Sequence, residues 1–465
     1  MKLYYQPEGF CFGDCMPFGK GKEFYLFHQR DARNPEPLPN CEPFGWELVT
    51  TKDFVHYDYK GLAIPPGDYD AQDQFIFAGS VFEDKDNLFH AFYTGFNRDY
   101  IKEDRPSQVL MHATSKDLLH WEKSEEKVTF TPQEGYDKDD WRDPFVLWDE
   151  EKERYILILG GRHITGKRLL NGCTVWFTSK DLKHWRFEGD FYRPNAFTMH
   201  EMPDLFRMGD WWYHIITEYS DRNKMVYRMS KSLEGPWLTP EDDAFDGRAY
   251  YAGRTFSLNG KRILFGWVPT KENDDDRKNF QWGGTFVPYE VLQREDGTLG
   301  VRMPQTMEDA FNPAENCSAM VLESSDAEEC FVLADESSDI FLFDADISFM
   351  EGTRSFTLRC KADPETFESY QFNFLIHENR VVFEKTPNTP WFQCMNIGLE
   401  RPLVLEAEKH YHIRLVVDDT IGTLFVDDIA LNVRMYNEYG TAIAMSVTGG
   451  LLNLEGAKIA NGLKK

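Results

Sequence analysis

Five short apolar runs, each rich in aromatic and β-branched residues, recur along the first 267 residues of the chain. They lie at residues 24–27, 88–93, 155–159, 211–216 and 262–267. Turn-forming residues bound each run, and no stretch with helical periodicity separates them. The pattern therefore predicts five buried β-strands in an all-β fold.

A polar corner of Ser or Thr, Lys and Asp, followed by apolar and aromatic residues, repeats between these runs. It occurs at residues 51–57, 115–121 and 179–185, and in a weaker form at 230–237. The lysines of successive copies, at positions 52, 116, 180 and 231, are 64, 64 and 51 residues apart. Such a corner is typical of a turn whose tail packs into a sheet. Repeated all-β units of this length favour a five-bladed β-propeller, with a large sandwich or a solenoid as the alternative.

The pattern changes after residue 303. Residues 308–328 are mostly acidic and small, which is typical of a connection, and the remainder alternates in short apolar and polar steps such as 340–347 and 412–417. Many short alternating strands predict a β-sandwich. We therefore expect a propeller over residues 1–307, a linker over 308–328 and a C-terminal β-sandwich over 329–465.

Composition narrows the classes of function. The 465 residues include 51 Lys and Arg against 78 Asp and Glu, a formal charge of −27, which disfavours a nucleic-acid partner. No apolar stretch reaches the roughly 20 residues that a membrane helix needs. The N-terminus shows no signal-peptide pattern, so we expect a cytoplasmic protein, or a secreted one if a leader has been removed. No metal site and no cofactor are predicted, and the sequence does not indicate an oligomeric state.

Three carboxylates stand in unusual contexts close to the predicted strands. Asp14, Asp143 and Glu201 are each flanked by aromatic residues and followed within a few positions by proline, which favours an extended, partly buried backbone. Carboxylates in different environments can divide the work of glycoside hydrolysis between a nucleophile, an acid and a group that stabilises positive charge. The alternative is that these acids are solvated or cap turns, as most of the 78 acids must.

At these residues the sequence resembles glycoside hydrolase family 32, the group of invertases, levanases and inulinases. Residues 141–144 (Trp-Arg-Asp-Pro) are similar to the family's Arg-Asp-Pro motif, and 200–206 (His-Glu-Met-Pro-Asp-Leu-Phe) to its Glu-Cys-Pro-Asp-Leu-Phe motif. Further similar stretches lie at 26–29, 77–81, 92–95, 251–256 and 266–267, and in the sandwich at 413–418.

The resemblance implies a five-bladed β-propeller with an appended β-sandwich and a retaining hydrolysis of fructosides, with an oligosaccharide or polysaccharide as the partner. It implies that Asp14 is the nucleophile, Glu201 the general acid/base and Asp143 the transition-state stabiliser, with Arg142 beside it. The positions that it implies for the lining of the sugar pocket are Gln29, Trp46, Phe77, Ser80 and Trp282.

The stretch around the expected nucleophile departs from the family. The family's first motif reads Trp-Met-Asn-Asp-Pro-Asn-Gly, whereas residues 11–17 here read Cys-Phe-Gly-Asp-Cys-Met-Pro. The acid is kept, but the neighbouring Asn and the stacking Trp are replaced. A furanoside other than a fructoside is therefore an alternative substrate. The alternative functions are an inverting arabinan- or xylan-type glycosidase and a non-catalytic sugar-binding protein.

Overall fold

The computed structural model describes residues 2–31, 41–124, 130–219, 224–317, 319–388 and 398–464. Strands dominate these residues. Their helical elements are one short α-helix, α1 (Gln305–Glu308), and the 3-10 turns Arg168–Leu170, Glu272–Asp274 and Ile376–Glu378. No helix in these ranges is long and apolar enough to cross a membrane.

The first region is a β-propeller of five antiparallel blades, which confirms the predicted fold class. Blade 1 contains β1 (Cys11–Lys20), β2 (Glu23–Asp31), β3 (Trp46–Thr51) and β4 (Tyr57–Ile64). Blade 2 contains β5 (Phe75–Glu83), β6 (Phe89–Phe96), β7 (Gln108–Ser115) and β8 (Trp121–Lys123). Blade 3 contains β9 (Tyr136–Asp149), β10 (Arg154–His163), β11 (Gly172–Ser179) and β12 (Trp185–Tyr192).

Blades 4 and 5 complete the ring. Blade 4 contains β13 (Met199–Met208), β14 (Trp211–Tyr219) and β15 (Met225–Ser230). Blade 5 contains β16 (Tyr251–Leu258), β17 (Lys261–Lys271), β18 (Phe280–Gln293) and β19 (Leu299–Arg302). Strand β18 also pairs with β1 through Phe12 and Gly284, so the last blade is hydrogen-bonded to the first. The five predicted apolar runs fall on β2, β6, β10, β14 and β17, the second strand of every blade.

The repeated polar corner is the turn between the third and fourth strands of blades 1, 2 and 3. In blade 1, Thr51 Oγ1 accepts the Phe54 N–H (2.9 Å), and Asp53 Oδ1 accepts the N–H groups of Val55 and His56 (2.9 and 2.8 Å). The ring of His56 lies 2.8 Å from Asp53 Oδ2. The corners at Ser115 and Ser179 repeat these bonds, so the motif stabilises backbone rather than performing chemistry.

The second region is a β-sandwich, again as predicted. Its strands are β20 (Glu315–Asn316), β21 (Met320–Ala334), β22 (Ile340–Phe349), β23 (Ser355–Ala362), β24 (Ser369–Leu375), β25 (Arg380–Thr386), β26 (Glu400–Pro402), β27 (Tyr411–Asp418), β28 (Ile421–Val426), β29 (Ile429–Arg434) and β30 (Ala442–Asn461). The 20-residue strand β30 pairs with β23 through its first half and with β22 through its second half, which joins the two groups of strands.

One part of the predicted connection differs in the structure. Residues 320–328 belong to β21, which pairs along its length with β30. The acidic positions are exposed while Leu322 and Ser324 are buried, so the segment is a strand with one solvent-exposed face. Its polar composition hid this alternation.

The sandwich packs directly on the propeller. Asp246, between β15 and β16, is buried and accepts hydrogen bonds from the backbone and side-chain nitrogens of Asn432 on β29 (both 2.8 Å). Arg434 donates to the carbonyl of Val268 on β17 (2.8 Å). A continuous apolar core crosses this contact, which fixes the sandwich to blades 4 and 5.

Candidate active site

A cavity of about 330 Å³ opens where the innermost strands of the propeller meet. Its walls include all three predicted carboxylates: Asp14 on β1, Asp143 on β9 and Glu201 on β13. These residues are far apart in sequence and come from three blades, so the propeller brings them together around its axis. The volume lies in the usual range for small-molecule sites.

Each innermost strand has a register irregularity at the level of this cavity. On β1 the shift lies between Phe12 and Cys15, and on β9 it lies between Arg142 and Phe145, which pair with Gly160 and Ile158 of β10. The shifts on β5, β13 and β16 lie between Phe77 and Gly79, between Glu201 and Asp204, and between Tyr251 and Arg254. A β-bulge turns side chains away from strict alternation and is common next to active sites. The five bulges therefore explain why residues of plain antiparallel strands converge on one pocket.

Asp14 lies within the bulge of β1 and is partly buried. Trp267 on β17 donates its indole N–H to Asp14 Oδ1 (3.1 Å). Burial, followed by the nearby carboxylates of Asp143 and Glu201, raises the pKa of Asp14 well above its ordinary value. The Trp267 bond opposes this shift and orients one carboxylate oxygen.

Asp143 is buried and has a left-handed backbone, with φ of 64°. Its N–H donates to Thr94 Oγ1 (2.9 Å), and its carboxylate accepts the N–H of Met202 (3.0 Å). Buried Arg254 donates to the Asp143 carbonyl (2.7 Å) and so holds the unusual turn in place. Burial raises the pKa of Asp143, although the Arg142 guanidinium partly offsets it.

Glu201 is held from two sides. The guanidinium of Arg142 donates to its Oε1 (2.6 Å), and the Tyr251 hydroxyl donates to its Oε2. Burial, then the charge of Glu201, raises the pKa of Tyr251 well above its ordinary value, which keeps this hydroxyl protonated as a donor. Glu201 thus has a fixed orientation at the wall of the cavity.

Arg142 connects the acids of the pocket. Besides Glu201 it contacts Asp140 Oδ1 (2.8 Å), and its Nε lies 3.9 Å from Asp143 Oδ2. Asp140 also accepts from Arg162 (2.6 Å). Burial would lower the pKa of Arg142, but these carboxylates outweigh it and raise the pKa, so the guanidinium stays charged.

Seven of the nine predicted site residues line the cavity. They are Asp14, Gln29, Phe77, Arg142, Asp143, Glu201 and Trp282. Trp46 and Ser80 instead lie one layer behind it: the Trp46 indole donates to the Phe77 carbonyl (3.0 Å), and Ser80 Oγ accepts the Val146 N–H (3.1 Å). Their contacts position the wall rather than form it.

Several lining residues are absent from the sequence prediction, among them Asp139, Asp140, Tyr219 and Tyr251. Asp139 and Asp140 stand directly before the Trp-Arg-Asp-Pro motif, which is a signal that could have identified them. Tyr219 comes from the end of β14, where no local motif marks it. Tyr251 begins β16 and the 251–256 stretch that resembles the family, but that resemblance does not identify it as a neighbour of Glu201.

The altered stretch before Asp14 has a visible structural consequence. A Cβ placed on Gly13 would lie 2.3 Å from Cη2 of Trp282, so only glycine admits the indole at this position. The Trp282 ring is edge-on to Trp267, with centroids 5.6 Å apart, and Trp267 in turn donates to Asp14. Trp282 therefore packs against the backbone beside the expected nucleophile.

Comparisons with known proteins agree with this geometry. The family described as Glycosyl hydrolases family 32 N-terminal domain matches residues 15–299, a range that begins one residue after Asp14. A sucrose-6-phosphate hydrolase of Escherichia coli is 28% identical over 62% of this chain and 65% of its own length. A levanbiose-producing levanase of Bacillus subtilis (strain 168) is 28% identical over 92% of this chain and 86% of its own length.

Solved structures support the same fold. Fructan 1-exohydrolase IIa from Cichorium intybus superposes with a TM-score of 0.80 at 16% identity, covering 99% of this chain and 97% of that one. Sucrose-6-phosphate hydrolase from Lactobacillus gasseri gives 0.78 at 18% identity, over 100% and 93% of the two chains. Since the family match spans more than half of the 465 residues and includes both Asp143 and Glu201, this chain belongs to glycosyl hydrolase family 32.

Proposed function

We propose that this protein hydrolyses fructofuranosyl or closely similar furanosyl linkages in an oligosaccharide or polysaccharide. The observation that carries the proposal is the convergence of Asp14, Asp143 and Glu201 on one cavity in a member of this family. Relatives named as sucrose-6-phosphate hydrolases and levanases support the same bond type. The arabinan- or xylan-type and the non-catalytic alternatives have no such support.

In the proposed reaction Asp14 attacks the anomeric carbon while Glu201 protonates the departing oxygen. A covalent glycosyl–enzyme forms, and Glu201 then removes a proton from water, which releases the sugar with its configuration retained. Asp143 faces the positive charge that develops on the ring. The contacts of Arg142 and Tyr251 with Glu201 keep that carboxyl aimed at the leaving oxygen.

The test is release of monosaccharide from sucrose, inulin, levan and arabino-oligosaccharides, compared with Glu201→Gln. We expect fructose from the parent protein and a loss of at least about 10³-fold in kcat for the variant, because the amide cannot donate the proton. Asp53→Asn, a change in a surface corner, is the matched control and should keep full activity. Activity retained by Glu201→Gln would remove this residue from the mechanism.

The stereochemical outcome tests the mechanism separately. Proton NMR of the first product formed should show the anomer of the substrate, as double displacement requires. An inverted first product would contradict Asp14 as nucleophile and assign the acids to a single-displacement reaction.

A further inference from the structure

The charge of the cavity is strongly one-sided. Among the described residues that line it, five are carboxylic acids: Asp14, Asp139, Asp140, Asp143 and Glu201. The only basic side chain in that lining is Arg142. A pocket with low-dielectric walls concentrates the field of such groups, so an anion entering it is repelled.

The one cation of this lining is already engaged by protein carboxylates. Arg142 is 2.6 Å from Glu201 and 2.8 Å from Asp140, and its side chain is only 9% exposed. Releasing it to a ligand would leave buried carboxylates without their partner, which is costly. Arg254 lies close by, but it donates to the carbonyls of Asp143 and Pro144 and does not line the cavity.

The described lining contains no second basic side chain, and Arg162, which contacts Asp140 from outside that lining, is shared with Asp137 (2.7 Å). Asp139 accepts from Ser107 Oγ (2.7 Å), and Ile101, which is 50% exposed, forms the neighbouring surface. Protein sites for phosphate are usually built from Arg, Lys or clustered backbone N–H groups. In their place the described lining of this cavity offers carboxylates, the neutral amides of Gln29 and Gln108, hydroxyl groups and apolar surface.

We propose that the substrate of this protein is an uncharged sugar, and that the active site discriminates against phosphorylated saccharides. The inference rests on the proposed function, because it concerns the substrate of the same site. It separates this chain from those of its relatives that are named for a phosphorylated disaccharide. The discriminating groups are the carboxylates of the lining, which outnumber its one basic side chain, and among them Asp139 is hydrogen-bonded to Ser107 in the same wall.

The experiment compares kcat/KM for sucrose and sucrose 6-phosphate, which differ only in the phosphate, at low and high ionic strength. We expect the neutral sugar to be preferred at least about tenfold at low salt. The preference should narrow as salt screens the charges, because the Debye length falls from about 30 Å at 0.01 M to about 3 Å at 1 M.

Two substitutions at one exposed position sharpen the comparison. Ile101→Lys places a cation on the rim and should raise kcat/KM for the phosphorylated sugar severalfold relative to sucrose. Ile101→Gln, a polar change of similar size without charge, should leave the ratio of the two substrates as it is in the parent. A circular dichroism spectrum of each variant shows that the fold is kept.

The outcomes separate the two proposals. Equal or better hydrolysis of the phosphorylated sugar overturns the charge inference while supporting the proposed hydrolase activity. A preference for the uncharged sugar that neither salt nor Ile101→Lys changes also overturns the charge inference, because the selection is then steric. No hydrolysis of either sugar, nor of inulin or levan, overturns the proposed function and with it this inference.

Discussion

Aspartates occupy two opposite environments in this propeller, at its axis and at its outer corners. Asp14 and Asp143 at the axis are surrounded by other carboxylates, and burial raises the pKa of both. Asp117 and Asp181 at the corners are about half exposed. There the hydrogen bonds from His120 and His184, and then from backbone N–H groups, lower the pKa of both aspartates.

The difference teaches how to separate chemistry from structure in an acidic protein. A corner aspartate is satisfied locally, by donors two and three residues further along the chain. An axial aspartate has a partner from another blade and like charges nearby, so its ionised form is held at a cost in free energy. That cost is typical of a group kept for reaction rather than for folding.

The largest effect that the comparison predicts is on turnover. Asp14→Asn should lower kcat by about 10³-fold or more, because the amide cannot attack as a nucleophile. Asp53→Asn is the same chemical change at a corner and should leave kcat unaltered. Steady-state kinetics on the sugar that the parent hydrolyses measures both, and comparable losses in the two variants would contradict the assignment.

The second prediction concerns Gly13, whose position beside Asp14 belongs to the axis. Gly13→Ala forces a methyl group into Trp282, so we expect a loss of about 1–3 kcal/mol in the free energy of unfolding, as for other overpacked sites. A fall in kcat/KM should accompany it, since the indole lines the cavity. Denaturant unfolding and initial rates give the two quantities.

Two controls identify the contact as the cause. Gly161→Ala adds the same methyl group where the nearest atoms are an ordinary 3.5 Å away, and it should be tolerated. The double change Gly13→Ala with Trp282→Ala should recover part of the lost stability. If the double variant is as unstable as the sum of the two single ones, the clash is not the cause.

Much of this architecture could be predicted from the chain because it is written in local patterns. The corner motif recurs in blades 1, 2 and 3, and the apolar runs mark the second strand of all five blades, so the blade number follows from the runs. The three acids were recognisable by their flanking residues and by resemblance. The register of the strands could not be predicted. Trp46 and Ser80 lie in the layer behind the cavity, and the bulges that direct their side chains there arise from the pairing between strands.

Contacts between blades were equally hidden. Tyr251 and Glu201 are 50 residues apart, and their hydrogen bond depends on how β13 and β16 lie around the axis. The segment at 320–328 differs from the predicted linker for a related reason, since its acidic residues are the exposed face of a strand whose partner lies more than 100 residues later. The local composition reflects the residues of the solvent-exposed face, whereas the pairing with β30 depends on the whole fold.

The third prediction uses pH to contrast the two environments. A raised pKa in the folded protein means that ionised Asp14 destabilises it, and this penalty appears as pH rises above the ordinary value of 3.8. Asp14→Asn should therefore be at least as stable as the parent at pH 7, and the two should converge in acid. Urea unfolding at pH 7 and near pH 4 measures the difference in free energy of unfolding between Asp14→Asn and the parent. If this difference disfavours the variant more at pH 7 than near pH 4, the prediction is contradicted.

The same shift predicts the acid limb of activity. Since Asp14 must be ionised to attack, kcat/KM should begin to fall at a pH above 3.8, the ordinary value for an aspartate. A profile of kcat/KM against pH checks it. A rate that stays constant down to that pH would exclude a raised nucleophile pKa.

The smallest effect is expected at the corners. Asp53→Ala removes the acceptor for two backbone N–H groups, of Val55 and His56, and the partner of the His56 ring. Because the corner is partly exposed and water can replace some of these bonds, we expect a loss of about 1 kcal/mol in the free energy of unfolding. Turnover should not change.

The pKa of Asp53 is lowered in the folded protein, so the stability that its carboxylate contributes is present at neutral pH and is lost as pH falls below 3.8. The stability deficit of Asp53→Ala should accordingly shrink in acid. At the axis, by contrast, Asp14→Asn should be more stable than the parent at pH 7 and lose that advantage in acid. A change of the same sign at the two sites would mean that the environments do not differ as the structure indicates.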